Sequence, residues 1–170
     1  MSKSDLYSEI VAATRMILDG EGLSHVDVRI KLDTYATYAK GKDFIQYGSK
    51  SIEVKLDASS GMLFEAYAYE GGRLRKYYGE IVRQLTAKEK LASVIIEETA
   101  HSVAYSEGYH GKHGGYFNSV FIKVWVKYYD RVTDMLKSVS KYEVVSITDI
   151  LARSKRLEWK IKEAVKSVGI

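Results

Sequence analysis

Apolar side chains change their spacing twice along this chain, and that change restricts the fold to helices packed against a small sheet. At the N-terminus Leu6, Ile10, Ala13, Ile17 and Leu18 recur at helical spacing until Gly20 and Gly22, which predicts a helix that stops there. The period then becomes two. Val26, Val28, Ile30 and Leu32 alternate with His25, Asp27, Arg29, Lys31 and Asp33, the pattern of a strand with one buried face. Ile52, Val54 and Leu56 alternate with Glu53, Lys55 and Asp57 in the same way, and Gly71-Gly72 divides two tyrosine-rich runs as a hairpin turn. An antiparallel-dominated sheet is therefore expected across residues 25–85.

The helical period returns at Thr86. Thr86-Ala-Lys-Glu89 reads as a capping box, in which hydroxyl and carboxylate satisfy free N–H groups at a helix start; the helix is predicted from Ala87 to Tyr105. Gly108, Gly111, Gly114 and Gly115 make a tightly turned or mobile loop. Phe117, Val120, Phe121, Val124, Trp125, Tyr128, Val132 and Met135 then continue as a long amphipathic helix. Ser146-Ile-Thr-Asp149 caps a last helix. The expected class is α+β: an N-terminal helix, a small sheet, a helix carrying the site described below, and two C-terminal helices. No repeat or linker composition interrupts residues 1–170, so a single domain is expected.

With 170 residues, 46% hydrophobic and 28% charged, the chain has enough apolar surface to bury a core without covalent help. It contains no cysteine, which excludes disulfides, cysteine nucleophiles and cysteine-ligated zinc, so any metal must use nitrogen and oxygen donors. No apolar run reaches the ~18 residues of a membrane span, and MSKSDLYSEI lacks the apolar stretch of a secretory signal. A cytoplasmic, intracellular location without a membrane partner is the expectation. The absence of proline beside 14 tyrosines and many Lys and Glu residues leans toward a thermophilic source. The net charge of +4 is spread along the chain and reads first as a solvated basic surface.

Chemistry concentrates between Ile96 and Phe121. Three of the 4 histidines, His101, His110 and His113, fall in this stretch, and imidazole is the commonest metal ligand near neutral pH. Glu97 and His101 are i,i+4 on the predicted helix and share a face, with Glu98 one step round. Leu91, Val94, Ile95, Ile96, Val103 and Ala104 make that helix otherwise apolar. Carboxylates and an imidazole on its inner side need a partner for their charge, and a cation supplies one. The bland alternative is an exposed Glu pair, a plain Glu98–His101 pair and solvated loop histidines.

Glu97-Glu98-Thr-Ala-His101, followed twelve residues later by His113-Gly-Gly-Tyr-Phe117, resembles the H-E-x-x-H…H-G-x-x-F arrangement of the SprT-like and related small zinc metallopeptidases. That resemblance implies a zincin-like fold, a zinc ion, and hydrolysis of peptide or protein substrates. It makes His101 and His113 metal ligands and Glu98 the general base toward water. The family's first histidine is replaced here by Glu97. Glu97 as third ligand, His110 as third ligand, another divalent metal in place of zinc, and a decayed site without metal all stay open. In the last case the scaffold serves as a non-catalytic binding or structural protein for nucleic acid or protein.

Two further surfaces are candidates. The last helix carries Arg153, Lys155, Arg156, Lys160, Lys162, Lys166 and Trp159, a set able to contact nucleic acid nonspecifically, although a solvated helix that packs through Leu151, Leu157, Ile161 and Val165 is the first reading. The strand-region tyrosines suit core packing or an edge groove for an extended peptide.

Overall fold

The computed structural model describes residues 3–56, 63–70, 73–80, 87–111 and 113–142. The first helix, α1 (Lys3–Gly20), buries the five apolar residues named above together with Thr14. Three short strands follow, β1 (Asp27–Lys31), β2 (Tyr38–Lys40) and β3 (Phe44–Gly48). Their order is β1-β3-β2, which leaves β2 at an edge. Ile45 and Tyr47 of β3 turn into the core and Val28 and Ile30 of β1 pack beside them. Arg29 and Lys31 face outward, as the period-two pattern requires.

The antiparallel expectation holds for β2–β3 and for the hairpin β4 (Leu63–Glu70) with β5 (Arg73–Glu80), whose register pairs Glu70 with Arg73 across Gly71-Gly72. The pairing of β1 with β3 is parallel, so the three-stranded sheet is mixed while antiparallel pairs predominate. A correction concerns Ile52, Val54 and Leu56. They belong not to a strand but to a two-turn helix, α2 (Ser49–Leu56). Ile52 is buried and Val54 is 41% exposed. Alternation over five residues fits either period, because positions i and i+4 share a face in both. Packing against the next helix decided for helix.

That next helix, α3 (Ala87–Ser106), starts where the capping sequence predicts, and α4 (Gly115–Met135) follows it. α3 is the centre of the core. It is buried against α1, α2, β2 and α4 and has few solvent-facing positions. α4 is amphipathic as expected, burying Phe117, Val120, Val124, Tyr128 and Val132. A 3-10 turn (Lys137–Tyr142) closes on α1, where Glu9 accepts the Ser138 amide at 2.9 Å and its hydroxyl at 2.5 Å. The architecture is α+β. The expected final helix, with its capping sequence and basic residues Arg153–Lys166, lies outside the described residues, as does Thr86. Among the described residues, no helix is long and apolar enough to cross a membrane.

One polar contact locks α1 to the sheet. The Tyr47 hydroxyl, fully buried, lies 2.8 Å from Thr14 Oγ1, which also donates to the Ile10 carbonyl at 2.8 Å. Burial pushes the Tyr47 phenol up, so it stays protonated. Replacing Tyr47 with Phe removes the bond but keeps the ring, and should lower unfolding free energy by about 1 kcal/mol in urea titration. A change near zero would mean that Thr14 is satisfied by the Ile10 carbonyl alone.

Candidate metal centre

α3 sets the register of the site. Glu97 and His101 stand one turn apart on it, and the next ligand candidate arrives from the loop that leads into α4. Glu97, His101 and His113 each offer one donor atom, and the three atoms lie within 4.8 Å of one another. His113 Nε2 is 3.2 Å from His101 Nε2 and 3.2 Å from Glu97 Oε1. Tetrahedral zinc with bonds of about 2.0–2.1 Å separates its ligand atoms by roughly 3.3 Å. The Nε2 of a neutral His113 carries at most one hydrogen, which points well at one partner only. A single cation between the three atoms satisfies all of them. The donor set, two imidazoles and a carboxylate, suits zinc and several other divalent ions.

The imidazoles are oriented by an aromatic floor. Phe117 is buried at 1% exposure. Its ring stacks on His101 with centroids 4.2 Å apart and on His113 at 4.7 Å, with interplanar angles of 21° and 8°. His110 is not part of the cluster. Its ring lies against Tyr105, with centroids at 4.2 Å, and it borders the cleft from the side. Of the two third-ligand candidates, the structure brings Glu97 to the histidines.

Glu98 occupies a different position from Glu97. It is 8% exposed and lines a cleft of about 500 Å³ together with His101, His113, Tyr105, Tyr109 and residues 37–41 around β2. Burial, and secondarily the negative charge of Glu97, push the Glu98 carboxyl up to about 8, against the opposing effect of the Ala39 amide, which donates a hydrogen bond to it. For His101, burial first and the neighbouring His113 second bring the imidazole down to about 4. It is therefore neutral at pH 7, the form that ligates metal.

The sequence reading missed three contributors. Ala39 acts through its backbone, and only strand pairing reveals that. Tyr105 was legible, since it lies one turn beyond His101 on α3. Phe117 is the first apolar position of the predicted long helix, and its stacking role depends on where His113 comes to rest. No protein-family model, no curated protein and no solved structure matches this chain.

The Glu98 environment makes a signed prediction for metal-free protein. The unfolded chain releases this proton near 4.5 and the folded chain holds it to about 8, so folding takes up a proton between these values and stability falls as pH rises through them. Glu98→Gln keeps an acceptor for Ala39 without a charge. In chelator-treated samples it should be more stable than wild type at pH 8, by at most roughly 5 kcal/mol for a shift from 4.5 to about 8. The difference should close near pH 4. Parallel curves for the two proteins from pH 4 to 8 would refute the assignment.

Proposed function

We propose that this chain is a metallopeptidase-like protein that holds a divalent cation, zinc by preference, on Glu97, His101 and His113 and hydrolyses peptide bonds beside it. The observation that carries this reading is that two of the three donors, His101 and His113, line one cleft together with a separate buried carboxylate, Glu98. A ligand set alone argues for binding; a second acid that borders the same cleft argues for proton transfer.

A divalent cation held by Glu97, His101 and His113 would supply positive charge to polarise a carbonyl oxygen and acidify water, and would favour the carboxylate form of Glu98. Glu98 takes a proton from water at a carboxylate oxygen while the water oxygen bonds to the peptide carbonyl carbon. The carbon–nitrogen bond then breaks and the same proton passes to the leaving amine. β2 borders the cleft as an edge strand, so an extended substrate can lie along it. The cleft volume of about 500 Å³ suits a few residues of a peptide or protein substrate.

Glu97 in place of a third imidazole has a consequence. A carboxylate donates more negative charge, which weakens the cation as a Lewis acid and raises the pKa of nearby water. Turnover should be slower than with three imidazoles, and Glu97→His should retain the metal and hydrolyse peptides faster at pH 7.

Elemental analysis of purified protein is the first test. Near-stoichiometric metal, lost in both His101→Ala and His113→Ala, is expected, with hydrolysis of an unfolded protein substrate that Glu98→Gln abolishes while retaining the metal. Bound metal without hydrolysis of any peptide library would reduce the reading to a metal-binding scaffold. No metal, and no rise in melting temperature on adding zinc, would overturn it.

A further inference from the structure

Gly111 and Gly114, before and after His113, both close on one side chain, Tyr109. α3 ends with Gly108 at φ 93°, a left-handed conformation that glycine adopts without strain. The Gly108 amide donates to the Tyr105 carbonyl at 3.0 Å and the Tyr109 amide donates to the Ala104 carbonyl at 3.0 Å. That is the paired closure of a Schellman cap, and it fixes the residue after the glycine relative to the helix. Tyr109 is therefore anchored to α3 by its backbone. Its ring also lies 5.4 Å from that of Tyr116, whose hydroxyl donates to Glu107 across the two ends of the loop.

The loop then returns over the Tyr109 phenol. A Cβ at Gly111 would lie 2.6 Å from the Tyr109 hydroxyl oxygen and 2.7 Å from its Cζ. A Cβ at Gly114 would lie 2.7 Å from the same oxygen but 3.8 Å from Cζ. Both oxygen distances are shorter than a methyl group tolerates, so an alanine at Gly111 or Gly114 would have to displace the Tyr109 phenol or the backbone beside His113. Between these two approaches the imidazole is directed to His101, at 3.2 Å between the Nε2 atoms.

We infer that Tyr109 is a positioning residue for the metal centre, a post anchored through its backbone to the end of α3, against whose phenol Gly111 and Gly114 close so that His113 meets Glu97 and His101. The inference rests on the proposed metal reading and adds to it a cause for the geometry of the third ligand. Side chains that orient metal ligands without touching the ion typically change affinity by about 10–100-fold when removed.

A Cβ at Gly111 would meet both the phenol oxygen and Cζ, whereas one at Gly114 would meet the oxygen alone, which gives the test its discrimination. Affinity is read by titrating metal-free protein with zinc against a chromophoric chelator, and ligand geometry by the visible absorption of the cobalt-substituted protein. Gly111→Ala and Gly114→Ala should each weaken zinc binding by about 10-fold or more, with altered cobalt spectra and unchanged melting in chelator. Tyr109→Phe alone should bind like wild type, because the ring remains. Added to Gly114→Ala it should restore zinc affinity and the cobalt spectrum, since the oxygen was the obstacle and Cζ is 3.8 Å away. Added to Gly111→Ala it should restore little, since Cζ at 2.7 Å still blocks the methyl. Should either alanine variant fail to fold, Tyr109→Ala removes the post itself and should lose zinc affinity by the same factor, while Tyr109→Phe does not. Wild-type affinity in Gly114→Ala or in Tyr109→Ala, or no rescue of Gly114→Ala by Tyr109→Phe, overturns the inference while leaving the metal site standing. A wild-type protein that takes up no zinc overturns the metal reading and this inference together.

Discussion

The structure depends on how a carboxyl group is accommodated on its most buried helix. α3 is enclosed by α1, α2, β2 and α4, and a polar side chain on such a helix needs a partner or it destabilises the fold. Glu98 is satisfied by the Ala39 amide, so the edge strand and the helix are held together through the same group that borders the cleft. Thr99 meets the same requirement within its own helix, donating to the Ile95 carbonyl at 2.7 Å. The position of β2 over α3, and with it one wall of the cleft, follows from that bond and from the apolar packing of Ile45 and Tyr47 behind it. What would otherwise be a fault in the core is the feature around which the site is built.

On the other side of α3, the arrangement rests on aromatic rings. Phe117 is the first buried residue of α4, and it packs against His101 and His113. The apolar period that makes α4 a helix thus also supplies the surface on which both imidazoles lie. Flat rings stacked on a fixed ring lose little further freedom when they bind a cation, because their orientation is already set. Helix packing and ligand preorganisation are one set of contacts here, and a change in Phe117 would disturb both.

Much of this was legible in the sequence where a pattern was long or strictly local. The α4 stripe from Phe117 to Val132, the start of α3 and the shared face of Glu97 and His101 follow from helical spacing alone. The glycine pair at 71–72 marked a hairpin that exists. Short patterns failed. Ile52, Val54 and Leu56 satisfy strand and helix alike, and tertiary packing chose the helix. The parallel pairing of β1 with β3 was not legible because it is set by β2 returning to the edge, which leaves β3 between its two partners. For the site, the residue types were visible but their convergence was not. His110 and His113 lie three positions apart in one glycine-rich loop, and only the path of the backbone brings His113 to the cluster and sends His110 to Tyr105.

Glu97 links the electrostatics of the two halves of the site. Its carboxylate lies beside the histidines as a candidate ligand and also adds to the upward push on Glu98. Without a cation, two acids adjacent on one buried helix oppose each other's ionisation, and the folded protein carries that cost. A divalent charge at the cluster reverses the sign, since both carboxylates then gain from being ionised. Metal binding and folding would be coupled in such an arrangement, because an ion would relieve the unfavourable ionisation of Glu98 that burial in the folded chain creates. An imidazole at position 97 would remove the repulsion between the two acids. It would also remove part of the reason for the folded state to select a cation, so at a metal-loaded site the carboxylate would trade Lewis acidity for a tighter link between metal occupancy and stability.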